Sequence, residues 1–360
     1  MGDVGEEERS MRVSELAGLR NEWYAIARTS PRGRPRSEAV TLFGEEYVLF
    51  IPAYGIPGLL QPLCPHRGAH LKAADCLGES LRCCYHGWEF DAAGRCVAIP
   101  QLDDEMPIPV EANLLRWPVV ERYGLYWTCV GTPATDGPPG WPEADSLGWR
   151  VQIDFFEPWS ASALRIIDNN VDQAHPAFVH RRTFGDPTRP QVAGYALERT
   201  PRGFKAEIRH AVSGVGPQMG VSDETTSFER LTEVELLSPV QTRVLLSYDG
   251  AAPDYCFYGS ATPIDDAHSI YVRISALMAS AEMQPYDMFW EFSRRVTNED
   301  RFVLETTSPD FPIGIRSELH MRADLTTVEY RRILEHLAAQ DVSAAAVAPA
   351  VLDGAVSSRG

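Results

Sequence analysis

The chain carries Cys64-Pro65-His66 and, after a gap of sixteen residues, Cys83-Cys84-Tyr85-His86. Written as C-x-H followed by C-x-x-H, the two strings deliver two thiolates and two imidazoles from two loops. Two kinds of metal centre take that donor set. One is a [2Fe-2S] cluster in which histidines replace two cysteines on one iron, raising its reduction potential. The other is a Cys₂His₂ zinc site. Zinc sites usually pair C-x-x-C with H-x₃₋₅-H, whereas each half of this motif mixes one Cys with one His, which favours the cluster. Cys84 adds a further thiol, but Cys83 is the one at C-x-x-H spacing from His86.

A second group of potential ligands lies in Asn169-Asn170-Val171-Asp172-Gln173-Ala174-His175-Pro176-Ala177-Phe178-Val179-His180. Two histidines five apart are weak evidence by themselves, because such pairs are common on surfaces and in cores. Their helical phase is awkward, but Pro176 breaks regular helix after His175 and lets His180 swing. Asp172 precedes His175 by three residues, making them neighbours on a helix, and carboxylates commonly receive the free ring N–H of a metal-bound histidine. An O₂-activating non-haem Fe(II) centre needs two imidazoles and one carboxylate, so an acid must come from elsewhere. Glu299-Asp300 lie on a helix predicted from about Gln284 to Glu305, level with an apolar stripe of Phe289, Phe292, Val296 and Val303. An acid there has no structural reason to be present unless it binds something. At roughly 100° per residue the two acids flank the stripe's centre about equally, so periodicity does not choose between them.

Taken together, CPHRGAH, CCYHGWEFDAAGRCVAIP and the N-x-x-D-x-x-H-x₄-H pattern resemble the Rieske non-haem iron oxygenases, the terminal components of ring-hydroxylating and demethylating systems. The resemblance runs from about Trp23 to about Leu337. One departure is Cys84, where the family usually has Pro. The resemblance implies an α+β chain: an N-terminal all-β Rieske domain carrying the [2Fe-2S] loops, then a helix-grip catalytic domain, a curved antiparallel sheet covered by helices. It implies Cys64, His66, Cys83 and His86 as cluster ligands. His175, His180 and Asp300, the second acid of its pair, are implied as ligands of a mononuclear Fe(II). Asp172 would link a cluster histidine of one subunit to an iron histidine of the next, with the electron route cluster, His86, Asp172, His175, iron. That route implies a homotrimer with head-to-tail electron transfer, a ring that closes on itself. Asn169 falls at the family's asparagine position, near the iron or ordering the bridge.

The run Glu318-Leu319-His320…Tyr330-Arg331-Arg332 and the single-subunit appearance resemble the monooxygenase branch. The activity so implied is O₂- and NAD(P)H-dependent monooxygenation, by hydroxylation or demethylation, of a small to medium cyclic organic or natural-product substrate. Electrons would arrive through a separate reductase or ferredoxin, because no flavin or nicotinamide segment is evident. Gly214–Gly220 only superficially has the form of a dinucleotide loop. Arg67, Lys72 and Arg82 suggest a mildly positive face for an acidic donor. Alternatives on the same iron are cis-dihydroxylation, N-oxygenation and oxidative ring closure. From another class come a Rieske electron carrier, or a ligand-binding protein without mononuclear iron.

The elements that must position these residues follow from punctuation and patterning. With 360 residues, 44% hydrophobic and 23% charged, the composition is that of a globular protein. A net charge of −17 repels phosphate backbones and argues against nucleic acid. The absence of a long apolar run argues against a membrane span, and an acidic N-terminus against a secretory signal. Seven unevenly spread cysteines suit a reducing, cytoplasmic compartment. We expect a leader at 1–20, the Rieske domain at 21–130, a Gly/Pro-rich linker at 131–148, the catalytic domain at 149–340, and a partly disordered tail at 341–360. Within them, strands are expected at 23–27, 39–43, 47–52, 204–212, 230–237, 242–247 and 269–277. One helix is expected over 161–179, and another from a Thr326-x-x-Glu329 capping box. A mobile loop is expected at 213–225, and a hydrophobic pocket lining between these elements.

Overall fold

A computed structural model describes residues 10–103, 105–213, 227–248, 255–278 and 286–347. The loop expected at 213–225, apart from its first residue, lies outside the described residues. So do the dinucleotide-like segment, residues 1–9 of the leader and residues 348–360 of the tail.

The N-terminal part is built from short antiparallel sheets. Arg36–Leu42 and Glu45–Ile51 form a hairpin closed by Phe43 and Gly44, with φ of 53° and 77°. Val119–Arg122 and Leu125–Thr128 are joined the same way by Tyr123 and Gly124, with φ of 55° and 74°. Two successive positive φ values give a two-residue turn whose twist matches that of the strands. Four very short strands, Asp75–Cys76, Ser80–Arg82, Glu89–Asp91 and Cys96–Ala98, make a separate sheet that carries the second cluster loop. Val48, Phe50, Leu60, Leu71, Leu81 and Phe90 are its buried core.

The C-terminal part is a seven-stranded antiparallel sheet in the order Trp149–Trp159, Ser269–Met278, Tyr255–Pro263, Gln241–Tyr248, Ser227–Ser238, Phe204–Ser213, Leu197–Arg199. Three of these strands, Trp149–Trp159, Leu197–Arg199 and Tyr255–Pro263, lie outside the expected set. Tyr255–Pro263 is buried along nearly its whole length, so it shows no alternation. One face of the sheet meets Trp23, Trp127 and Trp141 through Cys256, Tyr258 and Val272; the other meets the helices. The Gly131–Asp145 stretch is packed rather than loose: it ends in a short helix α1 (Pro142–Asp145), Trp141 is fully buried, and Glu143 pairs with Arg243.

The single helix expected over 161–179 is two pieces, α2 (Ala163–Val171) and α3 (Pro176–Val179). The break comes before Pro176, at Asp172, whose backbone is extended (φ −71°, ψ 135°) and whose Oδ1 accepts the Ala174 N–H at 2.7 Å. A short polar side chain that captures a local N–H competes with helix, and Pro176 then opens α3 at its first position. α4 (Tyr286–Leu304) matches expectation, except that Val303 is 39% exposed while Leu304 is 6% exposed. Ser293, Val296, Thr297 and Leu304 form its buried stripe. α5 (Leu325–Val347) extends into the expected tail. The Thr326–Glu329 capping box does not form: Thr326 is buried against the Tyr195 hydroxyl, and Glu329 pairs with Arg199 and Arg332. Arg331 on α5 binds Asp168 at 2.8 Å as well as Glu318, and so fixes α2 from behind. On its other side α2 lies so close to the sheet that a Cβ at Gly259 would meet Asn170 Nδ2 at 2.6 Å.

Candidate metal centres

The two N-terminal loops repeat one construction. Gly68 N–H donates to the Cys64 carbonyl at 2.9 Å and Gly87 N–H to the Cys83 carbonyl at 3.0 Å, with both glycines at positive φ, 70° and 75°. Each loop therefore turns tightly behind its cysteine and presents its histidine beside the other's. His66 and His86 have ring centroids 4.3 Å apart, and His66 stacks on Trp88 at 4.7 Å. Cys64 and Cys83 are 3% and 2% exposed, whereas Cys84 is exposed. Burial pushes the Cys64 thiol up to about 11, opposed by the His66 backbone N–H and reinforced by Cys83. A thiol so raised becomes a thiolate at neutral pH only when a cation displaces its proton. His66 Nδ1 is buried without a hydrogen-bond partner. The two buried thiols thus lie side by side, as do the two imidazoles, one with an unspent donor atom, and a cluster with one iron on sulfurs and the other on histidines takes such paired donors.

The second convergence lies between α2–α3 and α4. Asp300 Oδ1 is 3.5 Å from His175 Nε2 and 3.2 Å from His180 Nε2. Ligand atoms of these three residues lie within 4.8 Å of one another. The opposite ring nitrogens are held from outside: Asp172 Oδ2 is 3.4 Å from His175 Nδ1, and Glu299 Oε2 is 3.1 Å from His180 Nδ1. Glu299 Oε2 also accepts the Thr183 hydroxyl at 2.7 Å. The His180 carbonyl accepts the N–H groups of Thr183, Phe184 and Gly185, and a Cβ at Gly185 would strike the Pro176 carbonyl at 2.1 Å. This tight loop fixes the His180 backbone, so the ring is aimed by loop geometry and not by helical phase.

The electrostatics follow from crowding. Burial disfavours the His180 cation, but Asp300 and Glu299 outweigh it and raise the pKa to about 9. Burial raises the Asp300 carboxyl, yet His180, His175 and Asn169 hold it below its ordinary range. Asp172 is likewise lowered, its burial offset by His175 and the Ala174 N–H. Asp300 Oδ1 and His175 Nδ1 are buried without hydrogen-bond partners. Two imidazoles, one carboxylate and an orphaned buried oxygen aimed between them fit a divalent iron with open positions.

Asn169, Asp172, His175, His180 and Asp300 thus share one cavity wall. The cluster residues form a separate site, and among the described residues no hydrogen bond of Asp172 reaches His86 of the same chain. The cavity's far wall comes from the sheet, with Arg230, Thr232, Val244, Leu246, Phe257 and Arg273. The hydrophobic lining expected from sequence is therefore interrupted by two buried arginines. Thr183, Phe184, Arg230 and Arg273 went unread. An Arg between apolar residues of a strand was the available signal, but alternation in FERLTEVELL also describes a solvated face.

Residues 22–118 match the Rieske [2Fe-2S] domain, and residues 159–340 match the vanillate O-demethylase oxygenase C-terminal domain. A methylxanthine N1-demethylase of Pseudomonas putida is 27% identical over 305 residues, covering 83% of this chain and 79% of the relative. A toluene-4-sulfonate monooxygenase iron-sulfur subunit of Comamonas testosteroni is 33% identical over 170 residues, 46% of this chain. That alignment spans about half of the relative's own length, 48%. Among solved structures, the Pseudomonas putida demethylase NdmA superposes with a TM-score of 0.75 at 23% identity, covering 92% of this chain and 94% of that one. Dicamba monooxygenase with bound dicamba superposes with a TM-score of 0.72 at 20% identity, covering 90% and 99%. The chain belongs to the Rieske non-haem iron oxygenases, in the branch of monooxygenases and demethylases that carry the vanillate O-demethylase-type C-terminal domain.

Proposed function

We propose that this chain is the terminal oxygenase of a multicomponent system that inserts one atom of O₂ into a small cyclic organic substrate, by hydroxylation or demethylation. The observation that carries this reading is the meeting of His175 Nε2, His180 Nε2 and Asp300 Oδ1 at the floor of a cavity. Relatives named for demethylation of methylxanthines and monooxygenation of toluene-4-sulfonate support it. Cys64, Cys83, His66 and His86 would hold the [2Fe-2S] cluster, and His175, His180 and Asp300 would hold the mononuclear iron. When bound, these groups supply electrons and O₂ activation respectively.

The remaining work falls to protein groups. Glu299 holds the Nδ1 proton of His180, which fixes that tautomer with Nε2 facing the cavity, and Asp172 Oδ2, 3.4 Å from His175 Nδ1, favours the same orientation of the second ring by charge. Asn169 restrains Asp300. Asp172 is 26% exposed at its side chain, which leaves it an outward edge for His86 of a neighbouring subunit in a head-to-tail homotrimer. Reducing equivalents come from NAD(P)H through a separate reductase or ferredoxin, in the cytoplasm. No helix among the described residues is long and apolar enough to cross a membrane. The test is a low-temperature EPR spectrum of the dithionite-reduced protein, together with metal analysis. A Rieske-type signal and about three irons per chain are expected. A signal with only about two irons would leave an electron carrier, and no signal in protein loaded with iron and sulfide would remove the proposal.

A further inference from the structure

The two arginines in the cavity wall are held differently. Arg273, 5% exposed, donates to Thr297 Oγ1 at 2.6 Å and to the Tyr255 hydroxyl at 2.8 Å, and Asp154 lies 3.9 Å from its Nε. Its charge is balanced inside the fold. Arg230, 6% exposed, has no such counter-charge: among the described residues no carboxylate lies within ion-pair distance, and its Nε has no hydrogen-bond partner. A buried ionised group without an opposite charge is strongly unfavourable; burial draws this guanidinium below its ordinary value, and a hydrogen bond with the Tyr248 side chain opposes that without neutralising the charge. Among the described residues, the side chains that share its face are neutral. Tyr248 is its cross-strand partner and Thr232 shares its face; His210 is pushed down to about 3 by burial and by Arg230 itself.

The guanidinium sits over the Phe184 ring, 4.4 Å from its centroid, and Phe184 in turn stacks on His180 at 4.8 Å. One phenyl ring therefore separates a buried cation, with no carboxylate partner among the described residues, from the residues that converge at the cavity floor. The lining between them includes Val244, Leu246 and Phe257.

We propose that Arg230 anchors an anionic group of the substrate, so that this chain acts on a small organic acid, a carboxylate or sulfonate, with its reactive substituent directed toward His175, His180 and Asp300. Arginine offers paired N–H donors to either group, and the acid supplies the opposite charge that none of the described residues brings within ion-pair distance. The assignment rests on the oxygenase reading for what happens next, but binding does not require turnover.

The experiment is calorimetric titration of the holoprotein, repeated after a chelator removes the mononuclear iron. The probes are 3-methoxybenzoate and toluene-4-sulfonate, each against a neutral counterpart, methyl 3-methoxybenzoate and 4-methylbenzenesulfonamide. At least one acid is expected to bind ten-fold or more tightly than its counterpart, with or without the iron. R230Q should abolish that preference and R230K should retain part of it. The two acids distinguish a carboxylate from a sulfonate site. In thermal unfolding without ligand, R230M should melt higher than the parent protein, because it removes a buried cation with no carboxylate partner among the described residues. Failure of both acids to outbind their counterparts, survival of the preference in R230Q, or a lower melting temperature for R230M would each overturn the proposal. An Arg230-dependent preference in protein that never takes up mononuclear iron would instead sink the oxygenase reading alone. Turnover of neutral substrates with no acid preference would sink the anchor alone.

Discussion

Glu299 and Asp300 are adjacent acids with different surroundings, and exchanging each for its amide separates them. Asp300 Oδ1 lies between the two Nε2 atoms at 3.5 and 3.2 Å, whereas Glu299 Oε2 meets only the far side of His180, at 3.1 Å from Nδ1. D300N removes the only negative charge from the three-residue donor set. A unit charge pair about 4 Å apart, at an effective dielectric of about 20, is worth about 4 kcal/mol, or roughly a thousand-fold in affinity. E299Q leaves the donors intact and removes a charged acceptor behind one of them, a change that typically costs about 10–100-fold in metal affinity. The assay is Fe(II) content after gel filtration, with the Rieske EPR signal as an internal reference. D300N should fall from about three irons per chain to about two with the cluster signal unchanged, while E299Q keeps its third iron in excess metal and loses it on dilution. The reasoning is refuted if E299Q emerges empty while D300N retains the third iron.

C84A should leave the cluster spectrum unaltered and C83A should abolish it, because Cys83 is buried beside Cys64 and Cys84 faces solvent; EPR of the two variants decides. D172N should keep the mononuclear iron but lower turnover by roughly 10–100-fold, and equal turnover with the parent would show that Asp172 does not act through His175. E143Q breaks the partly buried pair with Arg243 and should cost about 3 kcal/mol in urea unfolding at pH 7. Burial raises the Glu143 carboxyl, but Arg243 outweighs it, so the folded-state pKa lies below the ordinary 4.5. That contribution is therefore present above pH 4.5 and fades as pH falls through the folded value, and the gap between parent and variant should close in acid. A gap that widens in acid would reverse the sign of the argument.

The cluster site was legible because its ligands sit on two short loops, and a glycine closes each turn behind a cysteine. The other site mixes local and distant information. His175 and His180 are readable as a pattern, but the break that aims them falls at Asp172, where an Asx turn outcompetes helix, and not at the more conspicuous Pro176. Asp300 resisted because Val303 looked like the next apolar position of α4. With Leu304 in its place the buried stripe runs through Val296, Asp300 and Leu304, and the choice becomes plain. The sheet was least legible where it is covered on both faces: Tyr255–Pro263 lost its alternation, and Arg230, at the start of an expected strand, stands among alternating acids that do not mark its face as buried. Asp154 was invisible for a backbone reason. The pairing of Trp149–Trp159 with Ser269–Met278 shifts between Ile153 and Phe155, so that Asp154 turns inward toward Ser275, Ser293 and Arg273.

The donor residues all come from the helical segments α2–α4 and the loop that joins α3 to the sheet, while the opposite wall of the cavity comes from the strands. This separation divides what must be kept from what is free to vary. Val244 and Leu246 on one strand and Phe257 on the next can change in size within their strand registers, on elements that carry none of His175, His180 or Asp300. Descendants of such a chain can therefore exchange one substrate for another by drift on the sheet alone, carrying the same reactive centre through each step.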